Sequence, residues 1–262
     1  VAQIDLNADV GESFGRWALG EDEALLPFVT SANVACGFHA GDPATLRRTC
    51  VTAVRHGVVI GAQVGYRDLA GFGRRFIDVD ADELHADVLY QLGALEAFAR
   101  LAGARVGYLK PHGALYHATV HHLAQAEAVV SATAQYARSL GRQGFAVLGL
   151  PGSALLAAAA SVGLRGVGEA FADRGYTAEG ALVPRGQPGA LITDAGEVAE
   201  RAVRMATSGD VVSHDGAVVA VRPESICLHG DTPGAAGLAG QVRAALGVAG
   251  VAVRPFVDPV QG

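Results

Sequence analysis

The chain has 262 residues, half of them hydrophobic, and a formal net charge of −6. This is enough chain for one large domain or two small ones with a substantial core, and it argues against disorder. The acidic balance, with no basic run, speaks against nucleic acid and anionic membranes as partners.

Gln3–Val10 alternates: Ile4, Leu6, Ala8 and Val10 point one way, and Asp5, Asn7 and Asp9 the other, as in a strand. A helix is expected after Gly20, with acidic residues in its first turn. Ser31–Asp42 (SANVACGFHAGD) reads as a second strand running into a turn. Its small, polar phase (Ser31, Asn33, Ala35, Gly37) ends in His39, and its other phase (Ala32, Val34, Cys36, Phe38) is apolar. Asp42 and Pro43 form an N-cap and first position for a helix that stops at Gly57. Val58–Val64 is a third strand, with Val59, Gly61 and Gln63 on the small or polar phase. A Gly- and Arg-rich loop and a long helical pattern over Asp80–Leu101 follow.

Arg105–Pro111 is a fourth strand that delivers Lys110 and His112 into a Gly turn, and His121–Leu140 is helical. Phe145–Leu150 is a strand, Ser153–Val162 a short helix and Leu164–Glu169 a sixth strand, which opens into a long polar loop. Thr193–Met205 is helical. Val211–Val221 reads as a hairpin turned at Asp215-Gly216. Ser225–His229 is a seventh strand, Thr232–Leu246 a helix, and Val251–Phe256 a final short strand. No repeat or linker divides residues 1–262, which are expected to form a single domain.

Repeated strand–helix alternation predicts a parallel α/β fold. The strand phases favour a closed barrel over an open sheet, because the apolar phase suits surrounding helices and the small, polar phase suits a lumen. Chemistry then collects at the C-terminal mouth, where α/β barrels carry their sites. The candidates are Asp5, Asn7, Asp9, Glu12, His39, Asp42, Lys110, His112, Glu169, Asp173, Arg174, His229 and Asp231. Asp42 and Asp231 also have a plain explanation as helix caps. Asp9, His39 and His112 form a candidate divalent-metal set with open positions. The same groups without metal would run acid–base chemistry, with Asp5 as base or orienter and Lys110 stabilising an oxyanion.

Several motifs are decoys. Gly11–Gly15 matches GxSxG, but no helix follows as a nucleophile elbow requires. Cys36 lies on the helix-facing phase and reads as core. No P-loop or strand-borne GxGxxG occurs. His56, His85, His117, His121 and His122 fall on helices and read as solvated. Cys36, Cys50 and Cys227 form no CxxC, and no leader pattern or apolar run of roughly 18 residues is present. A reduced, cytoplasmic setting is expected.

DLNADVGESFG (5–15), SANVACGFHAGD (31–42), LKPHGALY (109–116), EAFADRGYTAEGALVPR (169–185) and SICLHGDTPGA (225–235) resemble the LamB/YcsF, or lactam-utilisation, family over nearly the whole chain. The resemblance implies a distorted seven-stranded β/α barrel of the glycoside hydrolase/deacetylase type. It also implies opening of the 5-oxoproline lactam to L-glutamate with ATP as co-substrate, in company with subunits B and C of a 5-oxoprolinase. On that reading His112 and Asp9 move protons, Lys110 stabilises negative charge, and Arg174 or Arg185 pairs with the substrate carboxylate. The third strand departs from the family pattern: Gln63 stands where a histidine is usual. Two other readings remain open at this level, a stand-alone metal-dependent hydrolase such as a carbohydrate deacetylase, and a non-catalytic binding subunit.

Overall fold

The structure is a computed structural model that describes residues 2–229 and 234–259. Seven parallel strands close into a barrel: β1 (Gln3–Val10), β2 (Ser31–Ala35), β3 (Val59–Val64), β4 (Val106–Pro111), β5 (Ala146–Gly149), β6 (Arg165–Phe171) and β9 (Ser225–Leu228). The circle closes because β9 pairs with both β6 and β1. Between β6 and β9 lies the antiparallel hairpin β7 (Asp210–Val212) and β8 (Val218–Ala220), turned at Gly216 as expected. A two-residue strand, β10 (Ala252–Val253), adds to β1 beside Gln3 and Ile4.

The helices follow the strands. After the short α1 (Asp22–Leu25) come α2 (Pro43–Arg55) and α3 (Ala81–Leu101), then α4 (Gly113–His121), α5 (Leu123–Ser139), α6 (Ala154–Ser161), α7 (Ala195–Thr207) and α8 (Ala235–Val248). Four of them start on a short polar side chain: Asp42, Asp80, Ser153 and Asp194 accept from backbone N–H groups of the first turn. One expectation is corrected. The Gly turn after Lys110 is not a loop leading to a helix at His121; it is the first turn of α4, and His112 occupies the N-cap position. Gly113, which turns the chain at φ 54°, disguises the helix start in the sequence.

The strand phases hold. Leu6, Val34, Ile60, Leu109 and Ile226 face the helices in the main core. The lumen is apolar at one end, where Val59, Tyr108, Leu148, Val167 and Phe256 form a separate cluster, and polar at the other. Tyr108 needs a gap opposite it: a Cβ added to Gly61 would fall 2.1 Å from its ring. Gly61→Ala is therefore expected to destabilise the protein by about 1–3 kcal/mol, the usual cost of overpacking, read as a lower midpoint in thermal or urea unfolding. An unchanged midpoint would show that the ring has room to move.

Among the described residues no helix is long and apolar enough to cross a membrane.

Candidate active site

Alternation along β1 stacks Asp5, Asn7 and Asp9 up the lumen, and partners from neighbouring strands fill the space between them. At the deep level Asp5 accepts from Thr30 and Ser31 (both 2.7 Å) and from Ser225. One level up, Asn33 donates to Asn7 (2.6 Å) and Asp9 (2.8 Å), Tyr108 donates to Asn33 (2.6 Å), and Asn7 donates to Ser225 (2.7 Å). These bonds satisfy polar groups that would otherwise be costly to bury.

Asp5 does not line the mouth. Burial, partly offset by the Ser225, Ser31 and Thr30 hydroxyls, pushes its carboxyl up to about 6. The ionised form is therefore disfavoured in the folded state. Stability from this residue is complete below its unfolded value of about 3.9 and is lost as pH rises through about 6. Asp5→Asn is expected to stabilise the protein at pH 7–8 by on the order of 2 kcal/mol, with the gain vanishing below about pH 4. Unfolding midpoints across pH check this; a gain independent of pH would contradict it.

Lys110 sits at the centre of the next level. Its ammonium donates to Glu169 (2.7 Å), Cys227 (3.1 Å), Asp9 (3.2 Å) and Asn7 (3.3 Å). Burial alone would lower its pKa, but Asp9, Cys227 and Glu169 together raise it well above the ordinary value, so it stays charged. Asp9 is correspondingly held ionised: burial acts against it, and the Lys110 ammonium foremost outweighs that. The hydroxyl of Tyr116 and the carboxylate of Glu169 are both buried, and they are hydrogen-bond partners. Burial and the charge of Glu169 push the Tyr116 hydroxyl well up, so it keeps its proton.

Two histidine arrangements flank this centre. His229 Nδ1 lies 2.6 Å from Asp173, whose carboxylate is kept below its usual pKa, burial notwithstanding, by that contact. This fixes the proton on Nδ1 and leaves Nε2 to the cavity that His229 lines. On the other flank His39 and His112 stack with ring centroids 4.0 Å apart and planes 11° from parallel. Burial pushes both down, His112 to about 4, so both are neutral near pH 7. His112 Nε2 donates to the carbonyl of Phe72 (3.0 Å), leaving the lone pair on Nδ1, 3.7 Å from Glu12. Gln63 bridges His39 (3.1 Å) and Glu12 (3.3 Å). The loop after β3 closes over the pair. Phe72 takes a left-handed φ of 55°, a strained conformation of the kind found at functional sites. A Cβ on Gly65 would fall 2.5 Å from His39 Nδ1, so only glycine lets that backbone approach.

Glu12, His39 and His112 each offer a ligand atom within 4.8 Å of the others. Glu12 thus joins the two histidines in this group in place of the expected Asp9, whose carboxylate is engaged by Lys110 and Asn33. The lone pairs, however, do not converge. A metal lies in the plane of a ligating imidazole at about 2.0–2.1 Å, and two stacked, nearly parallel rings have no such point in common. The arrangement does not fit one ion shared by both histidines.

A cavity of about 710 Å³ opens above these groups, lined among others by Asp9, Glu12, Lys110, His112, Tyr116 and His229. Arg74, Arg174 and Arg185 also line it, Arg174 from a buried position. The lining thus combines an acidic group around one ammonium with three guanidinium groups. Arg174 spends two donors on the carbonyls of Ala190 (2.9 Å) and Val183 (2.7 Å), which ties down the long loop after β6.

The other sequence candidates fall outside this cavity wall. Asp42 caps α2 and also accepts from Gly15 (2.7 Å). Asn7 and Glu169 lie beneath the cavity and touch it through Lys110. Asp231 is outside the described residues. Cys36 is core, as expected, and Ser13 is bonded to Leu19 in a surface turn. His117, expected to be solvated, is exposed, and it also stands on the cavity wall. Phe72 and Arg74 belong to the site without any motif of their own in the sequence, and Tyr116 closes the LKPHGALY motif without having been singled out as a candidate. The only signal for the first two is the density of Gly and Arg in residues 65–76.

A parallel barrel with a carboxylate-oriented histidine and a buried lysine at its C-terminal mouth is an enzyme scaffold of the acid–base type. The family model of LamB/YcsF matches residues 4–261. The 5-oxoprolinase A subunit of Streptomyces coelicolor is 60% identical over 97% of this chain and 99% of its own length. That of Kocuria rhizophila is 58% identical over 97% and 98%. A lactam utilization protein from Thermus thermophilus has the same fold, with a TM-score of 0.91 at 44% identity over 97% of this chain and all of that one. The chain belongs to the LamB/YcsF family.

Proposed function

We propose that this chain is the A subunit of a 5-oxoprolinase and that its barrel mouth opens the 5-oxoproline lactam to L-glutamate. The observation that carries the reading is the Asp173–His229 pair and Lys110 in one cavity that three arginines also line. The names of relatives at 58–60% identity support the choice of substrate.

The charge gradient orients the ligand. Its carboxylate turns away from Asp9 and Glu12 and toward Arg174 and Arg185, which brings the lactam ring over Lys110 and His229. His229 Nε2 takes a proton from water as its oxygen bonds to the carbonyl carbon, and the Asp173 carboxylate stabilises the imidazolium. The Lys110 ammonium faces the developing oxyanion. His229 then returns the proton to the ring nitrogen as the C–N bond breaks, leaving a carboxylic acid and an amine, and the acid's proton passes to the amine to give carboxylate and ammonium. His112, neutral and tied to Phe72, positions the ligand and does not store a proton.

A five-membered lactam is a poor electrophile. ATP, handled with partner subunits B and C, supplies the activation; the word "subunit" in the relatives' names supports a multi-chain assembly. Among the residues of this chain no standard nucleotide loop is present. Reconstitution of the chain with its B and C partners, 5-oxoproline and ATP tests the proposal. Glutamate release that requires this chain is the expected result. Undiminished release when it is left out would contradict it, as would activity on acetylated sugars without ATP.

A further inference from the structure

We propose that Glu12 and Nδ1 of His112 form an acceptor pair that reads the ring N–H of the substrate, so that the site selects cyclic amides with an unsubstituted nitrogen. The identity of the ligand as a lactam rests on the activity proposed above.

Three observations converge. First, His112 carries a fixed acceptor. Its Nε2 gives its proton to the Phe72 carbonyl (3.0 Å), which leaves the lone pair on Nδ1 of the neutral ring. The ring is held in place by its stack on His39 at 4.0 Å and by the Phe72 ring, which meets it edge-on at 5.3 Å. Nδ1 is buried and finds no hydrogen-bond partner among the described residues, a costly state for an acceptor. Second, Glu12 Oε1 lies 3.7 Å from Nδ1, too far for a bond between the two. One N–H at the normal donor distance of about 2.9–3.0 Å reaches both. The Gln63 amide holds that oxygen (3.3 Å), and a carboxylate keeps further lone pairs for a ligand. Both residues line the cavity. Third, the place suits a lactam. Lys110 and His112 follow one another on alternate positions at the end of β4 and both line the cavity, so a cationic donor and this acceptor pair stand on one wall. Ring closure holds the C=O and N–H of a lactam on one edge, an acceptor beside a donor. The other carboxylate lining the cavity, Asp9, is already engaged by Lys110 and Asn33. The N–H bond lies in the ring plane, so it leaves clear the face of the nitrogen that receives the proton from His229.

Isothermal titration of the purified chain with 5-oxoproline and with its carbocyclic analogue tests this. The analogue is a cyclopentanone carboxylate that keeps the ring size, the carbonyl and the carboxylate and has a methylene group in place of the N–H. A site built to bond an N–H rejects the analogue that lacks it. The wild type should therefore prefer 5-oxoproline by at least about tenfold, the worth of one buried hydrogen bond. His112→Phe and Glu12→Ala, shown by thermal melts to be folded, should each lose most of that preference through weaker binding of 5-oxoproline. His112→Asn, which restores an acceptor oxygen near the place of Nδ1, should keep more of it than His112→Phe. Equal binding of the two rings to the wild type, no binding of 5-oxoproline, or a preference unchanged in both His112→Phe and Glu12→Ala overturns the proposal. The failures are separable: a preference for the N–H ring without glutamate release by the reconstituted complex sinks only the activity, and glutamate release with a chain that binds both rings alike sinks only this acceptor pair.

Discussion

Lys110→Met is expected to abolish glutamate release and to cost about 3–5 kcal/mol of folding stability, the range for breaking a buried charge pair. The lysine is 2% exposed and its ammonium holds two carboxylates, Asp9 at 3.2 Å and Glu169 at 2.7 Å. Removing it leaves two like charges facing one another in a low-dielectric lumen. The mutant's simplest relief is to protonate one of them. Its stability deficit should therefore shrink as pH falls, which unfolding at several pH values would show. Lys110→Arg is not expected to rescue. Four acceptors at 2.7–3.3 Å surround a compact ammonium, and a planar guanidinium does not fit that arrangement. A Lys110→Met protein as stable as the wild type at neutral pH would mean that the three charges are not coupled as the distances indicate.

Loss of the Asp173–His229 pair comes second. His229→Gln is expected to lower the rate of lactam opening in the assembled enzyme by about 10²–10⁴-fold, the usual contribution of a positioned acid–base. The protein should still fold, at some cost in stability from the lost contact with Asp173, which a thermal melt reads. Asp173→Asn should cost a similar factor by a different route. An amide does not stabilise the imidazolium, and it also permits the wrong tautomer. Asp173 is held below its usual pKa, so its contribution to stability is present above the unfolded value of about 3.9 and is lost as pH falls through the lower folded value. Asp173→Asn should therefore be less stable than the wild type at neutral pH and no less stable in strong acid. If kcat for glutamate is untouched in both variants, the proton carrier lies elsewhere.

The barrel was legible because period-two alternation survives in nearly every strand. Asp5, Asn7 and Asp9 on β1, and Gly61 and Gln63 on β3, announce a lumen that is not filled with branched apolar side chains. Strand phase also sorted Cys36 into the core. Two things were hidden for physical reasons. Gly113 sits at the first position of α4 with a left-handed φ, where helix-start rules lead one to expect Pro or an acid, so α4 read as a loop. The loop after β3 carries no periodicity. Nothing local predicts that Phe72 turns left-handed and offers its carbonyl to His112, forty residues on. Depth was hidden as well. Asp5 and Asp9 share a strand face and a residue type, yet one lies beneath Asn7 and the other at the cavity floor. Spacing alone cannot separate a residue that builds the barrel from one that meets the ligand. Nor could it show that His39 and His112 would stack and so fail to converge on one ion.

The central claim is that the C–N bond breaks in this chain's cavity. The most direct measurement is glutamate formed per unit time by the complex reconstituted with His229→Gln in this chain only, with partners, ATP and 5-oxoproline at wild-type conditions. The account predicts a fall of at least about a hundredfold in a variant that a thermal melt shows to be folded. Glutamate formation at the wild-type rate would place the chemistry in one of the partner chains.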